Sequence, residues 1–125
     1  MQRMTVQRAA IHQALSVAGR PLLPQEVLEA AQARVPGLSL ATVYRNLKAL
    51  LDDAEIRLVE LPGSAARYEL ASHGHHHHFQ CRACYRVFDV HACPGDLRRL
   101  APPGFVVQDH DLTLYGQCKD CLQAG

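Results

Sequence analysis

Residues 39–54, SLATVYRNLKALLDDA, predict an amphipathic helix. Apolar side chains recur at helical spacing at Val43, Leu47, Leu50 and Leu51, so that one face of the helix can be buried. Ser39 is a suitable N-cap for a helix over 40–54. The exposed start of this helix carries Thr42, Tyr44, Arg45 and Lys48.

The flanking sequence places this helix third in a recognisable order of elements. Residues 5–18 and 24–33 predict two earlier helices, and residues 56–60 and 66–70 predict a hairpin around Pro-Gly. Three helices followed by a hairpin, within about 70 residues, is the element order of a winged helix. The third helix of such a domain would enter the DNA major groove. On element order alone, any other small α/β domain remains open.

The overall composition sets few limits. The chain has 125 residues and a formal net charge of +1 at pH 7, so a DNA-binding surface requires its basic side chains to be segregated. No apolar run approaches the ~20 residues that span a membrane, and the start of the sequence is polar. We therefore expect a cytoplasmic protein without a membrane partner.

Histidine and cysteine divide the chain into two halves. All five cysteines lie between Cys81 and Cys121, and only one of the eight histidines, His12, precedes residue 73. We expect a DNA-binding domain over 1–71, a hinge over 72–74 and a metal-binding domain over 75–125. In the second domain, the pattern predicts strands over 76–80, 86–90, 105–107 and 112–115 and a short helix over 96–100.

The cysteine spacing predicts a structural zinc site. Two CxxC turns, Cys81/Cys84 and Cys118/Cys121, can aim four thiolates at one tetrahedral ion. A 50-residue domain with few apolar residues has only a small core and needs a bound metal to stabilise its fold. The alternatives are disulfides, which are disfavoured in the cytosol, and a redox CxxC, which would occur once and beside a βαβ pattern. Cys93 is left over, as a bystander or an oxidisable thiol.

The run of histidines at 75–78 predicts further metal binding. On a strand, alternate side chains face opposite sides, so His76 and His78 would face one way and His75 and His77 the other. A shell that combines imidazole nitrogens with carboxylate oxygens suits zinc, iron or manganese. Carboxylates that could complete the shells are Glu69, Asp89, Asp96, Asp109 and Asp111, with His110 as a further imidazole.

Three motifs together resemble the ferric uptake regulator family: ATVYRNL (41–47), HHHHFQCRAC (75–84) and HDLTLYGQC (110–118). The resemblance extends from Val6 to Cys121. It implies an α+β protein with an N-terminal winged helix and a small α/β dimerisation domain that contains the four-cysteine zinc site. It also implies a homodimeric, metal-activated repressor that binds AT-rich palindromic DNA.

The resemblance assigns roles to individual positions. Cys81, Cys84, Cys118 and Cys121 match structural zinc ligands. Glu69, His76, His78 and Asp89 match a regulatory metal site near the hinge, for Mn, Fe or Zn. His75, His77, Asp96 and His110 match a further metal site. Tyr44 and Arg45 match residues that contact DNA bases.

Three positions depart from the family pattern. Leu22 stands where many members supply a histidine to the regulatory site, and His73 or water could replace that ligand. His77 stands where iron-type members often have aspartate, which makes the further site richer in nitrogen. Ala71 stands where zinc-type members tend to have cysteine, which argues against a standard zinc sensor.

The expected mechanism is closure of the hinge by the regulatory metal, which favours the dimer arrangement that fits DNA. Phosphate contacts are expected from Arg3, Arg8, Arg20, Arg57 or Arg67.

A peroxide- or redox-responsive regulator of the same fold is the main alternative. A zinc enzyme is less favoured because the sequence contains no HExxH or HxE…PCxxC pattern, and we expect no catalysis and no small-molecule substrate. A metal-storage protein would have no use for the winged helix.

Overall fold

The computed structural model describes residues 5–73, apart from the side chain of His73, and residues 76–124. The chain divides into two compact units, residues 1–74 and 75–125. Each unit has its own sheet. The mixed helix and sheet content confirms the α+β class.

The first unit has the element order of a winged helix. Its elements are α1 (Val6–Ala18), α2 (Pro24–Ala31), α3 (Leu40–Asp52), β1 (Ile56–Val59) and β2 (Arg67–Leu70). A short 3₁₀ helix, Ala71–His73, follows β2 and occupies most of the segment predicted as a hinge.

Local capping sets where these helices begin and end. The side chains of Thr5 and Ser39 accept hydrogen bonds from the Arg8 and Thr42 N–H groups, which would otherwise lack partners at the first turns of α1 and α3. Gly19 ends α1 in the left-handed region, at φ 62°, which glycine adopts without steric cost. The predicted starts of all three helices agree with the structure to within one residue, because caps and Pro24 mark them in the sequence.

The apolar core of the first unit joins all three helices to the hairpin. Strands β1 and β2 are antiparallel, with Ile56 opposite Leu70. Leu22 forms a two-bond bridge to Tyr68, N···O 2.9 Å in each direction. The buried side chains of the cluster are Ala10, Ile11, Ala14, Leu15, Leu22, Val27, Leu28, Ala31, Leu38, Val43, Leu47, Leu50, Ile56 and Leu70.

One ion cluster ties α1 to the end of α3. Arg8 is only 6% exposed. Its Nη2 lies 2.7 Å from Asp53 Oδ2 and 2.6 Å from Glu55 Oε2. These carboxylates raise the pKa of Arg8, first through the hydrogen bond from Arg8 to Glu55. Two exposed acidic residues that follow α3 are thus paired with a buried arginine of α1.

The second unit is a three-stranded sheet with β3 in the centre. Its strands are β3 (His77–Cys81), β4 (Val87–Val90) and β5 (Thr113–Gly116), followed by α4 (Lys119–Ala124). Strand β4 is antiparallel to β3, and β5 is parallel to it. A single 3₁₀ turn, Arg98–Leu100, lies between β4 and β5.

Two sequence predictions in this unit need correction, and one helix was missed. Residues 105–107 form no strand: Phe105 and Val106 are 70% and 83% exposed, and no strand in the described part of the chain pairs with them. The helix predicted over 96–100 is only the 3₁₀ turn. Helix α4, which contains Cys121, was not predicted because it has no cap signal and no buried apolar stripe.

Candidate metal centres and nucleic-acid interface

The four CxxC thiols converge on one point in the second unit. Cys81 and Cys84 flank the turn after β3, and Cys118 and Cys121 lie before and within α4. The sulfurs lie 3.7 Å apart for Cys81–Cys121 and 3.9 Å apart for Cys84–Cys118. A tetrahedron with Zn–S bonds of about 2.3 Å has S···S edges of about 3.8 Å, so the donor set fits zinc. Both distances are far longer than a disulfide bond.

Backbone N–H groups prepare Cys81 to act as a thiolate. The N–H groups of Ala83, Cys84 and Cys118 all donate to Cys81 Sγ, each at 3.4 Å. These bonds, the one from Cys118 most, lower the pKa of Cys81 to about 5. A hydrogen bond with the Cys118 side chain raises the pKa of Cys121 to about 12. Ionisation of the cluster therefore begins at the Cys81 thiol.

Arg86 supplies positive charge beside the same thiols. Its Nε donates to Cys84 Sγ at 3.2 Å and its Nη2 to Cys118 Sγ at 3.7 Å. Burial raises the pKa of Cys84, but the Arg86 bonds outweigh it and the pKa is lowered. Nη2 also donates to Asp120 Oδ2 at 3.3 Å. A four-thiolate zinc complex has a net charge of −2, and Arg86 partly neutralises it.

A second cluster lies on one face of the sheet, where β3 begins. His78 is directly opposite Asp89 in the β3–β4 register, and His76 lies two residues before it on the same face. Asp89 Oδ1 lies 3.2 Å from His76 Nε2 and 3.6 Å from His78 Nε2. The Asp89 side chain is only 2% exposed. Two imidazole nitrogens and a buried carboxylate could therefore bind one divalent ion.

The opposite face of β3 carries His77, as the alternation of side chains predicts. Its ring lies 5.0 Å from that of His110, centroid to centroid. Asp96 is engaged elsewhere: Arg98 Nε lies 3.0 and 2.9 Å from its two carboxylate oxygens, which lowers the pKa of Asp96. His75, the other proposed member of this set, lies outside the described residues.

Glu69, the remaining proposed ligand of the regulatory site, lies on β2 in the first unit. It pairs across the hairpin with Arg57, whose Nε donates to Glu69 Oε1 at 2.9 Å. Leu22, which replaces the family histidine, is 3% exposed in the apolar core. The side chain of His73, a suggested substitute, lies outside the described residues.

The proposed DNA-contacting side chains lie on the outer face of α3. Tyr44, Arg45 and Lys48 are exposed, whereas Val43 and Leu47 point into the core. Thr42 Oγ1 accepts a hydrogen bond from Arg45 Nη2 at 3.0 Å. Lys48 pairs with Asp52 at 3.4 Å, in an exposed arrangement that DNA could displace at little cost.

Several arginines proposed to contact DNA phosphates already form ion pairs or hydrogen bonds within the protein. Arg8 is buried in its ion cluster, and Arg67 is 4% exposed, with Nη1 donating to Ser64 Oγ at 2.6 Å. Burial lowers the pKa of Arg67. Arg20 pairs with Glu26 at 2.9 Å. The expectation was therefore wrong for Arg8 and Arg67, because both are buried and their guanidinium groups bind acceptors within the protein. Arg3 lies outside the described residues.

Sequence reasoning missed two residues that contact these sulfur and imidazole groups. Arg86 follows a CxxC turn, but nothing in its spacing shows that its guanidinium reaches the thiols. Cys93 Sγ lies within 4.8 Å of the ligand nitrogens of His77 and His110. Its only signal was that it is a fifth cysteine in a cysteine-rich half.

Within the described residues, no helix has both the length and the apolar character that a membrane span requires.

Comparison with known proteins identifies relatives of this chain. The sequence model of the ferric uptake regulator family matches residues 1–115. The peroxide-responsive repressor PerR of Staphylococcus epidermidis is 30% identical over 126 residues, which cover 98% of this chain and 83% of that protein.

Solved structures give the same picture. The ferric uptake regulator of Helicobacter pylori has a TM-score of 0.75 and 27% identity, covering 96% of this chain and 82% of its own. A zinc-bound manganese uptake regulator has a TM-score of 0.81 and 27% identity, covering 94% and 91%.

Proposed function

The chain belongs to the ferric uptake regulator family of metal-responsive transcription regulators, and we propose that it represses metal-homeostasis genes when a divalent ion binds His76, His78 and Asp89. The observation that carries the proposal is the convergence of two imidazole nitrogens on one buried carboxylate, at 3.2 and 3.6 Å. No part of the proposal needs catalysis or a small-molecule substrate. A regulator of this kind acts in the cytoplasm, where the DNA is.

The four-cysteine cluster has a structural role in this proposal. Cys81, Cys84, Cys118 and Cys121 hold Zn(II), which fits their spacing and closes the shell without an open position. Such a site forms only in the folded protein, so zinc binding stabilises the folded state. The regulatory ion is a separate Mn, Fe or Zn. A structural relative is itself described as a zinc-bound manganese uptake regulator.

Glu69 is the proposed fourth ligand of the regulatory site. It belongs to the first unit, whereas the other three ligands belong to the second, so its recruitment would couple metal binding to the DNA-binding unit. In the structure Glu69 accepts a hydrogen bond from Arg57. A Glu69 carboxylate that turns to the metal gives up charge pairing with Arg57, which then becomes available to a DNA phosphate.

This step predicts a salt dependence. Removal of one phosphate-binding side chain reduces the slope of log K against log salt by about 0.9. For Arg57→Gln we expect that reduction in the metal-loaded protein only. A slope that changes equally without metal would mean that Arg57 contacts DNA regardless of Glu69.

DNA recognition is assigned to α3. Tyr44, Arg45, Thr42 and Lys48 would contact the major groove, with base contacts from Tyr44 and Arg45. Regulators of this family bind DNA and form dimers. The proposed assembly is a homodimer on an AT-rich palindrome, with half-sites about one helical turn apart.

The test is fluorescence-anisotropy binding to DNA upstream of the protein's own coding region. Protein that retains its structural zinc, but is stripped of labile metal, receives Mn(II), Fe(II) or Zn(II) separately. We expect tight binding with metal and weak binding without it, and His76→Ala should abolish the difference while the zinc content stays unchanged. His12→Gln, a histidine substitution on α1, is the matched control.

Two results would overturn the proposal. One is equal operator affinity with and without every metal. The other is full metal dependence in His76→Ala, which would move the regulatory site elsewhere.

A peroxide-responsive regulator is the second candidate, favoured by the name of the Staphylococcus epidermidis relative. Imidazole and carboxylate ligands suit Fe(II) as well as Mn(II), and peroxide oxidises Fe(II) but not Mn(II) under mild conditions. Hydrogen peroxide should then release DNA from the Fe(II)-loaded protein and leave the Mn(II)-loaded protein bound. Equal resistance of both forms would exclude this candidate.

A further inference from the structure

Arg45, which is proposed to contact DNA bases, is held by a chain of hydrogen bonds on the outer face of α3. Its Nη2 donates to Thr42 Oγ1 at 3.0 Å, one helical turn earlier. Thr42 Oγ1 also accepts a hydrogen bond from Ser39 Oγ, at 3.0 Å. Ser39 Oγ in turn accepts from the Thr42 N–H at 3.2 Å, which is the bond that caps α3. Two hydroxyl groups therefore connect the guanidinium to the helix cap.

The hydrogen bond from Ser39 fixes the side chain of Thr42. A threonine within a helix has two accessible χ1 rotamers, so its hydroxyl group can point in two directions. The bond from Ser39 favours the rotamer in which Oγ1 lies beside the cap, and this oxygen is the one that accepts from Arg45. The acceptor for the guanidinium therefore has a fixed position relative to the axis of α3.

A hydroxyl acceptor orders the Arg45 guanidinium without neutralising its charge. Lys48, on the same face of α3, pairs instead with the Asp52 carboxylate at 3.4 Å, and DNA would have to displace that carboxylate. Arg45 has no such competitor in its bond to Thr42. One of its N–H groups is used in that bond, so the other donors of the guanidinium remain for acceptors on a base edge.

We propose that Ser39 and Thr42 are positioning residues for DNA recognition, whose hydroxyl groups order Arg45 before it meets the DNA. Immobilising a long side chain on binding costs affinity, and this cost is smaller when the side chain is already ordered in the free protein. A guanidinium with one orientation also matches fewer arrangements of base acceptors, which increases selectivity. The inference rests on the proposed function only in placing α3 against DNA.

The first test needs neither DNA nor a regulatory metal. Side-chain NMR relaxation of the zinc-retaining full chain should show an ordered Nε–H for Arg45, whose signal is assigned by its loss in Arg45→Gln. Thr42→Val, which has a similar shape and helix propensity but no hydroxyl group, should make this N–H mobile, and Thr42→Ser should restore its order. The Nε–H of Arg57, which donates to Glu69, is the internal control and should not change.

The second test is a double-mutant cycle on the affinity of the metal-loaded full chain for the upstream DNA. Thr42→Val should weaken this binding by about 2–12-fold, the effect of immobilising one long side chain, and should change binding to unrelated DNA much less. In Arg45→Gln the same substitution should have little further effect, because the side chain that it orders is gone. Ser39→Gly, which retains most of the capping, should give part of the Thr42→Val loss.

The two tests separate this proposal from the function above. Operator affinity that does not respond to metal would overturn the proposed function, and the relaxation test would still decide the role of Thr42. Equal order of Arg45 in the wild type and Thr42→Val would overturn the present proposal. Additive losses from Thr42→Val and Arg45→Gln would do the same, since Thr42 would then contact DNA independently. A Thr42→Ser protein that behaves like Thr42→Val would also contradict it.

Discussion

Residues 1–74 bury a continuous apolar core, whereas residues 75–125 bury thiols and imidazoles. Every member of the apolar cluster lies between Ala10 and Leu70. In the described part of the second unit, the buried apolar residues are Cys81, Val87 and Cys118, and the buried polar residues are His76, His77 and Gln80. Several large apolar side chains of that unit are instead exposed: Tyr85, Leu100, Phe105, Val106, Leu114, Tyr115 and Leu122.

The difference shows that two small units of one chain can be stabilised by different interactions. Burial of apolar surface stabilises the first unit without a ligand. The second unit has too few buried apolar side chains for this and depends on metal–ligand bonds. Its exposed apolar side chains are also consistent with the proposed dimer, in which a second copy would cover part of them.

Loss of the structural zinc should give the largest effect, and it should be confined to one unit. Bound zinc contributes about 10–16 kcal/mol in small zinc domains, so we expect Cys81→Ser to unfold residues 76–124 and leave residues 5–73 folded. Two-dimensional amide NMR would show this as loss of dispersion for one set of signals. Cys93→Ser, which also removes a thiol, is the control and should stay folded. A dimeric, fully folded Cys81→Ser protein would contradict the account.

Core truncation should give the reverse pattern. Leu47 is 1% exposed within the cluster, and Leu47→Ala should cost the first unit about 2–5 kcal/mol without loss of zinc. Urea denaturation with a zinc assay on the same samples measures both. Val17→Ala, at a 73% exposed position of the same unit, should change stability by less than about 0.5 kcal/mol. Zinc loss in Leu47→Ala at low urea would show that the units do not behave independently.

Removal of Arg86 should have a smaller effect, on zinc retention rather than on folding. Its guanidinium donates to Cys84 and Cys118. Loss of an outer partner of a metal ligand costs about 10–100-fold in affinity, so Arg86→Gln should release zinc faster to a chelator. Arg82→Gln is the matched control, because Arg82 lies over the Tyr115 ring, 5.1 Å from its centroid, instead of on sulfur. Equal release rates for the two variants would show that Arg86 does not stabilise the site.

The same contrast explains how much the sequence could predict. Caps, apolar spacing and the Pro-Gly turn lie within a few residues of the elements they define, so the first unit was predicted almost completely. The four thiols were found because two CxxC spacings describe a complete shell. By contrast, Cys93 meets His77 and His110 only through the sheet, across 16 and 17 residues of sequence. The apolar run 105–107 suggested a strand because sequence alternation cannot show whether a partner strand exists.

The most direct test of the central claim is reciprocity between metal and DNA. If metal at His76, His78 and Asp89 favours the DNA-binding state, operator DNA must tighten metal binding by the same factor, typically about 5–150-fold. Calorimetric titration of Mn(II), and of Fe(II) without oxygen, into zinc-retaining protein with and without operator measures that factor. The account predicts equal factors in both directions for the wild type and a factor of one for His76→Ala. Wild-type metal affinity that is unchanged by operator DNA for both metals would contradict it.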